Sequence, residues 1–120
     1  MARTLYFEAR TQGREGMVAV GWVILNRMHD KEFPDTVCGV VKQGKQRPGC
    51  QFSIWCDGKP ETPKNDDDWA LAQTVATQML SNPPADPTSG AMYYHTVDRV
   101  PAWAAEHTGT ARIGRHVYYR

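Results

Sequence analysis

The segment that most constrains the fold is an apolar run near the start of the chain, residues 17–28. It reads MVAVGWVILNRM, so a helix built from it has apolar side chains on nearly every side. Such a helix is normally surrounded by protein, and the run is shorter than the ~20 residues of a membrane span. We therefore predict a buried central helix. The 120 residues are the length of one domain, taken as residues 1–120.

Shorter elements are predicted on both sides of this helix. Residues 3–12 predict a short helix, after which Gly13 and Gly16 are expected to loosen the backbone. Further helices are expected at 37–42, capped by Asp35 or Thr36, and from the Asn65 cap to residue 80. Residues 51–56, 91–96 and 113–119 are β-prone. The pattern predicts an α+β class: a mostly helical fold with a buried central helix and short β-segments.

Charge and composition narrow the possible partners. The formal net charge is +1 and 41% of residues are hydrophobic, which is ordinary for a soluble domain. No basic excess indicates nucleic acid as a partner, and no run is long enough to span a membrane. Met1 is not followed by the apolar stretch of a secretory signal. We expect a monomer that acts where it is made or is the excised catalytic part of a longer protein.

The cysteines leave three interpretations open. Cys38, Cys50 and Cys56 could form one disulfide and one free thiol, hold zinc together with a histidine, or be three buried small side chains. Neither a CxxC pair nor an HExxH motif is present. We therefore predict no metal site and no cofactor.

Glu8 is the sharpest candidate for chemistry. It follows Tyr6 and Phe7 on an apolar stretch, where desolvation would raise the pKa of its carboxyl group. A raised pKa allows proton donation near neutral pH, as a glycosidic oxygen requires on leaving. The alternative is an ordinary exposed helix glutamate. Glu15 could be a second carboxylate, but we prefer it as a first-turn residue of the central helix.

Aromatic and polar residues outside the long helices predict a sugar-binding groove. Sugar rings stack their C–H faces on aromatic planes, and their hydroxyls need polar partners. Trp22 and Trp69 follow helical spacing and are assigned to the core. Strand alternation places Tyr94 on one face of the segment and Tyr93 with His95 on the other. We assign Tyr93 and His95 to the sugar-binding groove. The alternative is that both tyrosines belong to the core and His95 lies at the surface. The predicted substrate-binding residues are Gln51, Ser53, Trp55, Tyr93, His95 and Trp103.

Three blocks of the sequence resemble the SleB/CwlJ-type bacterial cell wall hydrolase family: TLYFEAR at 4–10, EGMVAV at 15–20 and VILNR at 23–27. Five shorter blocks follow in the same order as in that family, namely FPDTV, QFS, DG, GAMYY and IGRHV. The resemblance implies a lysozyme-like fold, a peptidoglycan substrate and Glu8 as the catalytic acid/base. The family usually reads E-A-R-G-E, whereas this chain has Thr11 and Gln12 in the last two places; Glu15 matches the family's next acidic position.

The function expected from the resemblance is cleavage between N-acetylmuramic acid and N-acetylglucosamine by a lytic transglycosylase giving 1,6-anhydro products. That reaction needs one carboxylate, whereas a water-using glycosidase usually needs two. The expected place of action is the cell wall or periplasm, or a cell wall reached by phage delivery. One alternative is a zinc-dependent amidase or peptidase; another is a non-catalytic glycan-binding module. The zinc enzyme would use some of Cys38, Cys50, Cys56, His95 and His116.

Overall fold

The predicted central helix is α2, Gly13–Met28, and most of its residues from Gly16 to Arg27 are buried. The computed structural model describes residues 1–43, 52 and 62–120. Helices α1 (Ala2–Ala9) and α4 (Asp66–Ser81) pack on α2, as does the short α3 (Val37–Val41). Their shared core includes Leu5, Met17, Ile24, Val75 and Met79. The helix-rich class predicted from the sequence is confirmed.

The helix boundaries follow the predicted caps in two cases. The Thr36 hydroxyl accepts a hydrogen bond from the Gly39 amide at the start of α3. The Asn65 side chain accepts one from the Asp68 amide at the start of α4. These bonds satisfy amide groups that have no partner within the first helical turn.

The junction between α1 and α2 differs from the prediction. The α-helix ends at Ala9, and Arg10–Gln12 form a 3₁₀ turn. Gly13 has φ +69°, a backbone conformation that glycine adopts without a Cβ penalty. Gly16 was expected to loosen the chain, but it lies inside α2. Glu8 and Glu15 therefore belong to separate helices.

A three-stranded antiparallel sheet covers one side of α2. Its strands are β1 (Tyr93–Thr96), β2 (Gly109–Ile113) and β3 (His116–Tyr119), in the order β1-β3-β2. The single strand predicted at 113–119 is wrong, because Gly114, at φ +58°, lies between β2 and β3 and the chain reverses there. A 3₁₀ helix, Ala102–Glu106, connects β1 to β2.

Several predictions lie outside the described residues. These are the β-prone segment 51–56, apart from the buried Phe52, and the roles of Gln51, Ser53, Trp55, Cys50 and Cys56. Cys38 is exposed on α3. Within ranges 1–43 and 62–120, no helix has both the length and the apolar character needed to cross a membrane.

Candidate active site

The carboxyl group of Glu8 lies at the junction of α1 and the sheet. Glu8 is in the last turn of α1 and is half-buried. Burial raises its pKa, because the charged form loses hydration there. The C-terminal end of a helix also disfavours a negative charge. The raised pKa expected from the sequence is therefore present in the structure.

Tyr94 of β1 is the hydrogen-bond partner of this carboxyl group. Its hydroxyl donates to Oε1 of Glu8 and lowers the pKa of Glu8, opposing the larger effect of burial. Burial also holds the pKa of the Tyr94 phenol well above 10, and the Glu8 charge adds to this effect. Tyr94 therefore keeps its proton at neutral pH and remains a donor.

Two aromatic side chains of β3 support the Tyr94 ring. The ring centroid of His116 lies 4.7 Å from that of Tyr94, and the centroid of Tyr118 lies 5.6 Å away. Both supporting residues are buried, at 2% and 0% exposure. Burial lowers the pKa of His116 to about 4, and the electrostatic effect of His95 acts in the same direction. His116 is therefore neutral at physiological pH.

Gln12 connects this support to the helix that carries Glu8. Its amide nitrogen lies 3.1 Å from Nε2 of His116, and its amide oxygen accepts a hydrogen bond of 2.9 Å from the Arg115 backbone. A Cβ on Gly114 would lie 2.5 Å from the Gln12 oxygen and would displace the end of that side chain, and the positive φ of Gly114 itself favours glycine. The 3₁₀ turn after α1 is thereby attached to the β2–β3 turn.

Two polar residues at the end of α2 align β1. Asn26 donates to the Asp86 carboxylate and to the Ala91 carbonyl, both at 3.0 Å. Arg27 donates from Nε to the Met92 carbonyl at 2.7 Å, although its side chain is only 3% exposed. These bonds fix the chain just before Tyr94. In the sequence, the pair is part of the VILNR block, and two polar residues at the end of an otherwise apolar helix are the signal that could have indicated this role.

The opposite face of the sheet carries a second aromatic cluster, which we call the outer cluster. It contains Tyr93, His95, Trp103, His107 and Tyr119, with ring centroids 4.3–5.8 Å apart in each contacting pair. His95 also shares a hydrogen bond of 2.7 Å with the Tyr119 hydroxyl. The expected alternation is confirmed. The structure thus gathers Tyr93, His95 and Trp103 together, but on the face away from Tyr94 and Glu8.

The remaining chemical candidates lie on different elements and do not form one group. Glu15 is exposed in the first turn of α2, the position preferred from the sequence. His95 and His116 belong to opposite faces of the sheet, and Cys38 lies on α3. Within the described ranges, no three His, Cys, Asp or Glu side chains are grouped as a metal ion would require.

Solved structures of similar chains share this fold. The catalytic domain of the germination-specific lytic transglycosylase SleB from Bacillus anthracis has a TM-score of 0.76 and 29% identity; the match covers 100% of this chain and 90% of that one. The catalytic domain of the Bacillus cereus SleB protein has a TM-score of 0.72 and 30% identity, covering 100% and 86% of the two chains.

Similarity in sequence leads to the same group of proteins as similarity in structure. The spore cortex-lytic enzyme of Oceanobacillus iheyensis is 33% identical over 119 residues, which are 98% of this chain but only 39% of that enzyme. A family model described as cell wall hydrolase matches residues 11–119, a range that begins just after Glu8. The match over 119 residues extends the similarity to the α1 helix. Because the family model covers nearly the whole chain, this chain belongs to the cell wall hydrolase family.

Proposed function

We propose that this domain cleaves the glycan strands of peptidoglycan between N-acetylmuramic acid and N-acetylglucosamine as a lytic transglycosylase. The observation that carries the proposal is the half-buried Glu8 carboxyl group, whose pKa is raised and whose Oε1 is held by Tyr94. A carboxyl group of this kind can be protonated near neutral pH and can still return to the charged form. It therefore suits a residue that acts first as an acid and then as a base.

The similar proteins support the same activity. The similar B. anthracis structure is named a lytic transglycosylase, and the O. iheyensis relative a cortex-lytic enzyme. This chain corresponds to nearly all of the former catalytic domain but to less than half of the latter protein. The proposal accordingly concerns the bond-cleaving step, carried out by residues 1–120 as one catalytic domain.

The proposed reaction needs one carboxyl group. Protonated Glu8 donates its proton to the glycosidic oxygen, and the bond to the muramoyl C1 breaks. The resulting Glu8 carboxylate then takes the proton of the muramoyl 6-hydroxyl as that oxygen bonds to C1 and closes the 1,6-anhydro ring. The carboxyl group ends in its starting state and no water is consumed. Two other carboxylates, on either side of β1 in the chain, have partners of their own: Asp86 accepts from Asn26 and Thr88, and Asp98 pairs with Arg115 at the surface.

Mass spectrometry of the muropeptides released from purified peptidoglycan tests this function. Products ending in 1,6-anhydro-N-acetylmuramic acid are expected, each lighter by one water than the corresponding hydrolysis product. Reducing N-acetylmuramic acid ends would instead indicate hydrolysis by a muramidase. Cleaved stem peptides with intact glycan strands would overturn the proposal.

Chelation distinguishes the proposed reaction from the zinc-dependent alternative. Activity is expected to be unchanged after incubation with EDTA, because no step of the proposed reaction uses a metal ion. Stoichiometric zinc, lost together with activity, would favour the amidase or peptidase. Binding of glycan without any released product would favour a binding module.

We also propose that the domain works as a monomer on the cell wall. Action on peptidoglycan requires delivery outside the cytoplasm. The formal net charge of +1 indicates no strong electrostatic attraction to nucleic acid. Size-exclusion chromatography with light scattering should report a mass near 13.5 kDa. Twice that mass would contradict the monomer.

A further inference from the structure

The hydroxyl group of Tyr94 takes no part in the two proton transfers of the proposed reaction, although it binds the group that makes them. It donates to Oε1 of Glu8 from the neighbouring strand, 86 residues further along the chain. The sequence pattern assigned Tyr94 only to the core side of β1. A core role would need the ring but not the hydroxyl, whereas the observed bond engages the hydroxyl with the group proposed to carry the proton.

Contacts from three neighbouring elements hold the hydroxyl group in place. The Tyr94 ring packs on His116, the His116 imidazole contacts the Gln12 amide, and Gln12 lies in the 3₁₀ turn that follows the Glu8 helix. From the other side, Arg27 binds the Met92 carbonyl two residues before Tyr94. Movement of Tyr94 relative to Glu8 would therefore disturb contacts from α2, β3 and the 3₁₀ turn together.

We propose that Tyr94 is a positioning residue for Glu8: its hydroxyl holds one carboxyl oxygen, so that the other is left to exchange protons with the glycan. The inference rests on the proposed function of Glu8. A hydrogen bond to a carboxylate stabilises the charged form. The same bond therefore adjusts the pH at which Glu8 carries its proton.

The charged and titratable groups around the pair are consistent with this role. From β3, His116 and Tyr118 face Tyr94; His116 is neutral above about pH 4, and burial raises the pKa of Tyr118. From α2, the Arg27 guanidinium acts on Tyr94 over a longer distance and favours its ionised form, but burial and Glu8 dominate. Arg10, which follows α1, instead lies over the Tyr6 ring, with its Cζ 5.5 Å from the centroid. Among these groups of the described residues, Tyr94 donates directly to Glu8.

The test is Tyr94→Phe, which deletes one oxygen atom and keeps the ring. The kcat for peptidoglycan is expected to fall about tenfold. The alkaline limb of its pH profile should move up by about one pH unit, because the free energy of a hydrogen bond to a charged group corresponds to a pKa change of about that size. A purely structural role would lower the melting temperature without moving the limb. An unmoved limb would overturn the proposal.

The matched control is Tyr118→Phe. Tyr118 lies beside Tyr94 on the same face and is fully buried, but its hydroxyl lies 3.4 Å from Nδ1 of His116. Its removal should leave the alkaline limb where it is. An equal displacement in both variants would show that any buried hydroxyl in this region has the effect, and would remove the special role of Tyr94.

A titration without substrate separates this inference from the proposed function. In protein labelled with ¹³C at glutamate carboxyl groups, the Glu8 signal is assigned by its absence from Glu8→Gln. Its midpoint should be about one pH unit higher in Tyr94→Phe than in the wild type. If the Glu8 midpoint rises in this way but the wild-type protein cleaves no glycan, the positioning role of Tyr94 stands and the proposed function is rejected. Equal midpoints in an active enzyme would reject the positioning role alone.

Discussion

The two faces of the sheet carry the same kinds of side chain in different surroundings. The inner face has Tyr94, His116 and Tyr118, whereas the outer face has Tyr93, His95 and Tyr119. Residues of α2 such as Ala19 and Val23 close the inner face, and His116 and Tyr118 are buried there. The outer-face residues are only partly buried. Each face thus has two tyrosines and one histidine, so the residue types alone do not decide which face meets Glu8.

The different burial of the two faces changes the pKa values of the groups that they contact. On the inner face, burial lowers the pKa of His116 to about 4 and raises the pKa of Glu8. Burial at this side of the sheet thus gives one carboxyl group the raised pKa that a proton donor needs. On the outer face, the aromatic rings contact one another in stacked, tilted and edge-on arrangements and are partly exposed to solvent, which is compatible with sugar binding.

Glu8→Gln has the largest expected effect. The amide retains the shape of the side chain but exchanges no proton, so turbidity clearance of peptidoglycan should slow by about 100-fold or more. Circular dichroism should show an unchanged fold. Glu15→Gln is the control, because this exposed carboxylate in α2 should be dispensable. More than a tenth of wild-type activity in Glu8→Gln would reject Glu8 as the acid.

Tyr118→Ala and Tyr119→Ala compare neighbouring tyrosines from the two faces. Loss of the buried Tyr118 side chain should lower the free energy of unfolding by about 3–5 kcal/mol, as removal of a large buried ring does. Loss of the partly exposed Tyr119 should cost about 1–2 kcal/mol. Urea denaturation measures both. Equal losses would show that the two faces contribute alike to the core.

His116 should make stability depend on pH. Its pKa is about 4 in the folded state and 6.5 in the reference state, so the unfolded chain binds more protons between these values. The free energy of unfolding should therefore fall as pH drops from 6.5 to 4, by about 3 kcal/mol at most. Glu8 acts in the opposite sense, because its raised pKa weakens the folded state as pH rises.

Denaturation at several pH values, with His116→Gln compared with the wild type, isolates this contribution. The variant should lose the part of the pH dependence that His116 supplies, while the part due to Glu8 remains. His95→Gln is the matched variant from the outer face. The same change of slope in both variants would count against a special environment for His116.

Trp103→Ala has the smallest expected effect and tests the outer cluster. If Tyr93, His95 and Trp103 bind glycan as predicted from the sequence, the Kd for soluble glycan fragments should rise about tenfold, or about 1.4 kcal/mol. The alkaline limb of the pH profile should not move, because Trp103 contacts Tyr93 and His95 rather than Glu8. Isothermal titration calorimetry measures the affinity, with the exposed Leu80→Ala as control. An unchanged Kd would remove the outer cluster from substrate binding.

Local patterns were sufficient for much of the fold. The apolar run of α2, the Asn65 cap of α4 and the Thr36 cap of α3 were predicted from residues within a few positions of each other. The β2–β3 hairpin was missed, because Gly114-Arg115 is a weaker turn signal than Asn-Gly or Asp-Gly. The substrate-binding roles of Gln51, Ser53 and Trp55 stay predictions.

The candidate site was predicted only in part. Glu8 and its raised pKa followed from apolar neighbours in the same helix. Its partner Tyr94 did not, because period-two alternation separates Tyr94 from Tyr93 without indicating what either face contacts. The contact between Gln12 and His116 joins residues 104 positions apart. Such a pairing depends on how helices and strands pack, which short-range patterns do not contain.

The sequence by itself determined that one helix must be buried, where most helices begin, and that Glu8 lies on an apolar stretch. These properties depend on side-chain periodicity and on backbone groups close together in the chain. The tertiary structure alone decided which of two similar sheet faces meets Glu8, and so which tyrosine donates to it and which histidine packs on that tyrosine. The physical reason is that a pKa and a hydrogen-bond partner depend on burial and distance, and both arise only when distant segments pack together.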